Sequence, residues 1–412
     1  MSYLRGNAVV GQSGGPTAAI NATLSGVIRG CLEANEQGII DVLYGMRNGI
    51  EGFLKEDLVD LFSVFEDSDE LTTLEATPAA ALGSCRRKLK SHTEDADTYE
   101  KILSVFKKYG IRYFFYIGGN DSMDTVLKLS KYAESHDYKM CVVGVPKTID
   151  NDLMATDHTP GFGSAAKFVA TTVKEIIRDI NVYTVKAVTI VEIMGRDAGW
   201  LTASSALASL SGNVGPDLVY LPERTFDKDK FIADVKASLD KHPAVLVAVS
   251  EGVRFADGEY VGAGTQSGAV DVFGHKYLAG TGKVLEEMIR EEIGCKVRSV
   301  ELSLTQRCAS HIASLTDINE SVMVGIGAVK AAAEGRTAVM MTIDRTCSDG
   351  YSVSVGCADI EGIANEIKTV PDEYINSEGN GITEAGVRYL APLIIGEIPV
   401  QYVDGLPKHI TI

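Results

Sequence analysis

Short apolar runs that stop at a glycine or a polar turn recur along this chain: Ala8 to Val10, Tyr113 to Ile117, Met140 to Val145, Ala187 to Ile193 and Ala244 to Val249. Helical patterns separate them, over Thr17 to Asn35, Ser122 to Ser135, Ser164 to Ile180 and Thr281 to Ile293, each opening near a glycine, serine or threonine able to cap it. A strand buried on both faces reads as such a run, so the alternation predicts an α/β fold with mostly parallel sheets. At 412 residues the chain exceeds one compact unit of ordinary size, and two lobes around a cleft are expected.

In such sheets ligands lie beyond the carboxyl ends of the strands, which makes the residues after each run the candidates for chemistry. They are Gln12-Ser13-Gly14-Gly15, Gly118-Gly119-Asn120-Asp121-Ser122, Pro146-Lys147-Thr148-Ile149-Asp150-Asn151-Asp152 and Met194-Gly195-Arg196-Asp197. Each Gly-Gly precedes a helix, where backbone N–H groups and the helix dipole favour an anion; either pair alone also suits a plain turn. Asp150 and Asp152 stand two apart in a segment read as extended, so both carboxylates face one side, one taking a proton and the other near Mg²⁺. An Asn-centred turn with satisfied side chains is the plainer alternative. Lys147 adds positive charge for a donor's oxygens. Arg196, Arg298 and Arg307 offer planar forks for phosphate, and Arg86, Arg87 and Lys88 form a compact basic island.

The formal charge of −17, from 56 acidic and 39 basic residues, argues against a nucleic-acid partner and makes those basic islands stand out. Seven cysteines without short paired spacing suggest reduced thiols. No stretch approaches the roughly 20 apolar residues of a membrane helix. With a strand-like run reached within a few residues and no signal-like segment, this points to the cytoplasm and away from membranes. The histidines lack metal-ligand spacing, His275 is read as structural, and Trp200, Phe162 and Phe168 as packing groups.

Taken in order, these motifs, with Gln306-Arg307, resemble the 6-phosphofructokinase family; Thr159 to Ala165, Leu221-Pro222-Glu223, Ser250-Glu251-Gly252 and Gly274-His275 are further similar pieces. The resemblance implies phosphoryl transfer to the 1-hydroxyl of fructose 6-phosphate. It makes Asp150 the base, Thr148 a neighbour of the sugar hydroxyl, and Asp152 with Asn120 the surroundings of Mg²⁺. Met194, Gly195, Arg196, Glu223, Arg298 and Arg307 match the sugar-phosphate pocket, with Arg298 reaching a neighbouring subunit's site in a homodimer or homotetramer. Gly14, Gly15, Arg86, Gly119, Asn120, Asp121, Ser122 and Lys147 fall to the donor.

ATP-using members resemble Gly-Gly-Asp-Gly-Ser and Pro-Gly-Thr-Ile-Asp where this chain has Asp121 and Lys147. A carboxylate at 121 would repel a nucleotide's α-phosphate, and an ammonium at 147 would neutralise pyrophosphate, so the chain resembles the pyrophosphate-dependent, reversible branch. Asn120 in place of an aspartate, Leu304 in place of a histidine or tyrosine, Cys308-Ala309 in place of a glycine pair and Ala187 in place of an intersubunit arginine are departures. An ATP-dependent enzyme and a non-catalytic sugar-phosphate-binding subunit are the alternatives. The expected division is a donor lobe of 1–160 plus about 309–380, a sugar-phosphate lobe of 161–308, and a C-terminal segment of 381–412.

Overall fold

The structure is a computed structural model that describes residues 4–263, 280–346, 350–363 and 366–412. Gly274 and His275 lie outside the described residues. Seven strands form the larger sheet: β1 (Gly6–Gln12), β2 (Ile40–Met46), β3 (Leu58–Asp60), β4 (Ile111–Gly118), β5 (Cys141–Pro146), β10 (Val339–Arg345) and β11 (Val353–Asp359). Their order is β11-β10-β5-β4-β1-β2-β3, parallel except for the two edge strands, β11 and β3. A second sheet, entirely parallel, contains β6 (Ala187–Ile193), β7 (Leu218–Tyr220), β8 (Ala244–Ser250) and β9 (Lys296–Glu301) in the order β7-β8-β6-β9.

All five apolar runs are strands, because their side chains are buried on both faces: every residue of β8, for example, is buried. The helices match the reading apart from their first turns. One begins at Ile20 instead of Thr17, where the Thr17 hydroxyl accepts the Ala19 N–H at 3.2 Å and holds the chain in a turn. Trp200 and Phe162 are buried in the core beside the second sheet, with Phe168 packed against it.

After residue 309 the chain returns to the larger sheet through helix Leu315–Ala333, β10 and β11, and residues between Val370 and Ile394 then pack into the core beside the second sheet. Helix Leu315–Ala333 lies along helix Ile20–Glu36, and β10 joins the edge of β5 through Val339 and Met340. Two glycines permit that helix contact: a Cβ on Gly26 would meet the Val322 carbonyl oxygen at 2.2 Å, and one on Gly325 the Thr23 carbonyl oxygen at 2.4 Å.

A buried polar cluster fastens the same helix to the loop after β5. His158 Nδ1 lies 2.8 Å from Asp157 and its Nε2 2.6 Å from Glu320; Tyr351 donates to Glu320 at 2.6 Å, and Arg345 pairs with Asp157 at 3.1 Å. Burial opposes a charge on His158, yet the two carboxylates outweigh it and hold the imidazole pKa above its ordinary value. The sign follows: this stabilisation is complete below about pH 6.5 and is lost as pH rises through the raised folded value. Glu320→Ala is expected to cost about 3 kcal/mol by stranding one partner of a buried pair. Thermal unfolding of variant and wild type should diverge more at pH 6 than at pH 9; equal melting at pH 6 would remove the assignment.

Candidate functional site

In the larger sheet the chain leaves β1 toward β2 on one side, whereas β4 and β5 lie on the other, so the crevice between the ends of β1 and β4 is a topological switch point. Ser13-Gly14-Gly15 leaves β1 there and Gly119-Asn120 leaves β4. Gly14 has φ +76°, its N–H is donated to the Cys85 carbonyl at 3.0 Å, and its own carbonyl accepts from the Ser84 hydroxyl at 2.7 Å. Those two bonds bring Arg86 to the same opening. Helix Asn120–Ser135 starts at Gly119 with no side-chain cap, which leaves its dipole directed at the crevice.

The opening is part of a cavity of about 900 Å³ lined from both sheets. Gly14, Gly15, Arg86, Gly119, Asn120, Asp121, Ser122, Lys147, Thr148, Asp150, Asp152, Met194, Arg196 and Arg307 all border it. Three expected residues do not. Gly195 sits behind its two neighbours, its N–H donated to Glu251 at 3.4 Å and its carbonyl accepting from Ser250. Glu223 stands behind the wall, where its Oε1 accepts from the Gly199 N–H at 2.8 Å and the Val370 N–H at 2.9 Å. Arg298 is exposed on β9, an edge strand of the second sheet.

Asp150 and Asp152 reach the cavity by a route other than the one expected. The segment is a turn, not an extended strand: Asn151 has φ +54°, a conformation asparagine tolerates. The Asn151 side chain is fully buried and accepts from the Thr159 N–H at 3.1 Å and from Lys368 Nζ at 3.3 Å. The turn thus presents both flanking carboxylates. Burial pushes the Asp150 carboxyl above its ordinary range against the pull of Arg196 and Lys147, and burial with the Asp150 charge pushes Asp152 up as well. Thr148 Oγ accepts the Asp150 N–H at 3.1 Å and donates its own hydrogen to the Asp150 carboxylate at 3.5 Å, which orients it.

Lys147 is buried, and its Nζ donates to the Gly15 carbonyl at 2.6 Å, which sets an ammonium between the glycine loop and Asp150. Burial draws its pKa down to about 8. Asp121 is held by Lys88 at 3.0 Å, an ion pair at the mouth. On the cavity-lining residues, two buried polar atoms have no protein partner: Asn120 Oδ1, whose Nδ2 is donated to the Glu366 carbonyl at 3.1 Å, and Arg196 Nε. An unpaired acceptor beside a cation-seeking site and an unpaired donor beside an anion-seeking one are both costly unless a ligand completes them.

Sequence reading did not single out Glu192, Glu301 or Ile367, which line the cavity, and named Lys88 and Asp197 only as members of a basic island and a strand-end motif. Glu251, read only as part of Ser-Glu-Gly, also borders it, and burial pushes its carboxyl up to about 8. Among the described residues no group of three or more His, Cys, Asp or Glu is arranged to hold a metal by itself. One carboxylate and one amide oxygen, Asp152 and Asn120, nevertheless suit Mg²⁺, which usually keeps waters and shares phosphate oxygens with few protein ligands.

The arrangement offers an acceptor for a hydroxyl proton, an ammonium and dipoles for phosphoryl oxygens, and guanidiniums for a second anion. The phosphofructokinase family model matches residues 7–332. The chain is 43% identical over 405 residues to the pyrophosphate–fructose 6-phosphate 1-phosphotransferase of Halomonas elongata, covering 98% of this chain and 95% of the relative. It is 41% identical over 408 residues to the protein of the same name from Methylococcus capsulatus, at 98% and 96% coverage. The crystal structure of a pyrophosphate-dependent phosphofructokinase from Nitrosospira multiformis superposes with a TM-score of 0.88 at 39% identity, covering 98% of this chain and 95% of that one. Two phosphate-seeking crevice walls with an acid turn between them, matched over nearly the full length, place the chain in the phosphofructokinase family.

Proposed function

We propose that this chain transfers a phosphoryl group reversibly between pyrophosphate and the 1-hydroxyl of fructose 6-phosphate, giving fructose 1,6-bisphosphate and phosphate. The observation that carries the choice of donor is Lys147, a buried ammonium bonded to the glycine loop where ATP-using relatives have glycine, with Asp121 at the mouth. Pyrophosphate is compact and strongly charged, so a buried cation gives it more than it gives a longer nucleotide, while the Asp121 carboxylate disfavours an α-phosphate.

In this reading Asp150 accepts the proton of the 1-hydroxyl as its oxygen bonds to phosphorus, and the bridging oxygen leaves with the second phosphate. Thr148 orients Asp150, Lys147 and the start of helix Asn120–Ser135 stabilise the oxygens on which charge gathers, and Arg196 and Arg307 fix the sugar phosphate. Mg²⁺, when bound by Asp152 and Asn120 together with the donor, supplies charge neutralisation at the phosphoryl oxygens. Phosphate is as good a nucleophile as it is a leaving group here, so turnover in both directions is expected. The larger sheet, including the return after about residue 309, serves the donor, and the second sheet serves the sugar phosphate.

Purified protein with fructose 6-phosphate and Mg²⁺ should form fructose 1,6-bisphosphate with pyrophosphate and not with ATP, and chelation should stop it. Activity with ATP alone would overturn the donor assignment, and activity with neither would favour a binding subunit. Arg298, exposed on an edge strand and away from its own cavity, supports a site completed across a subunit contact. Arg298→Ala should raise KM for fructose 6-phosphate by about tenfold, the loss of a charge-assisted contact. Sedimentation should show a dimer or tetramer; a monomer with full activity would remove this role. A cytoplasmic setting is expected, and cell fractionation can check it.

A further inference from the structure

Residues 366–370 lie beyond the segment that the family model matches, yet they link Asn120 on one wall of the cavity to Glu223 behind the other. At the donor wall the Glu366 carbonyl accepts from Asn120 Nδ2 at 3.1 Å, and the Ile367 side chain then lines the cavity. Next, the Lys368 N–H is donated to the Asp152 carbonyl at 2.8 Å, and the Lys368 carbonyl accepts from the Trp200 indole N–H at 2.8 Å. Finally, the Val370 N–H is donated to Glu223, whose same oxygen holds Gly199 in the loop that carries Arg196.

The Lys368 side chain turns beneath the acid turn. Its Nζ donates to Asn151 Oδ1 at 3.3 Å, to the Thr156 carbonyl at 3.1 Å and to the Asp157 carbonyl at 2.8 Å, and it stands over the Trp200 ring at 5.4 Å. Three donor positions are thereby used on three parts of one loop. Asn151, the residue in the left-handed conformation, is gripped on the side opposite the cavity, which fixes the directions of Asp150 and Asp152.

From these contacts we infer that Lys368 is a positioning residue for phosphoryl transfer, and that the strap 366–370 ties the acid turn to the Arg196 loop so that base, donor and acceptor keep one geometry. The inference rests on the reaction proposed above. It touches no substrate: its effect passes through Asn151 and Trp200. Phosphoryl transfer depends on alignment more than on covalent help from the protein, and a misplacement of about 1 Å costs about 10²-fold.

The test compares wild type, Lys368→Met and Trp200→Phe in steady-state turnover with pyrophosphate and fructose 6-phosphate, alongside melting curves. Lys368→Met should lose about 10²-fold in kcat while both KM values stay within about threefold, and Trp200→Phe, which keeps a ring but removes the N–H donor, should lose about tenfold in the same pattern. Lys368→Arg should recover part of kcat by restoring the charge. Unchanged kcat in Lys368→Met, or a loss confined to KM, overturns the inference; if that variant does not fold, unchanged kcat in Trp200→Phe overturns it. The wild type separates the two levels: if it turns over with ATP instead, the donor reading fails while the same kcat comparison, run with ATP, still decides the strap.

Discussion

Replacing Asp150 with alanine is expected to lower kcat by 10²-fold or more, about the range that general-base removal covers, with KM for fructose 6-phosphate changed little. The hydroxyl must lose its proton as the new bond forms, and Asp150 is the buried carboxylate, oriented by Thr148, that lines the cavity between Lys147 and Arg196. Burial holds its pKa above the ordinary range, so the acid limb of the wild-type profile should lie above the value of about 3.9 of a free aspartate. The base works only when deprotonated, so activity rises with pH through that limb. Turnover retained in Asp150→Ala would remove the assignment.

Lys147→Met is expected to lower kcat/KM for pyrophosphate by about 10²–10³-fold, the effect of removing one preorganised donor from developing negative charge. The ammonium sits in a dry position, and burial draws its pKa down to about 8, so it titrates where lysine ordinarily stays charged. Its charged form is the useful one. Wild-type activity should therefore fall as pH rises past about 8, and that limb should be absent from whatever activity Lys147→Met retains. An alkaline limb that persists unchanged in the variant would place the titration elsewhere.

Much of this was legible in the residues. Buried strands declare themselves by apolar runs, and the rule that ligands gather at their carboxyl ends picks out Gly14, Asn120, Lys147, Asp150 and Arg196 without coordinates. The path between those points is less legible. Asp150 and Asp152 share a side because Asn151 is turned inward, a consequence of Thr159 and Lys368 arriving from elsewhere; an alternation rule for extended chain gave the right side for the wrong reason. Glu223 belongs to a motif that looks like a sugar contact, yet the backbone groups of Gly199 and Val370 claim one oxygen and draw it behind the wall. Lys368 carried no local signal at all. A lysine in an irregular segment reads as solvated, and only the folded chain shows it beneath the acid turn.

The placement of β10 has a consequence for how this protein is made. β5 is in place once the first 146 residues have emerged, but the strand that covers its open side begins at Val339. At about 5–20 residues per second, synthesis of the intervening chain takes roughly 10–40 s, a long interval for an apolar parallel edge to stand uncovered. The second sheet, whose strands all lie inside that interval, is built while the first waits. A nascent chain stalled before Val339 would present β5 to its neighbours as a template for mispairing, so the demand for chaperone protection should peak on the ribosome and end when the last quarter of the message has been read.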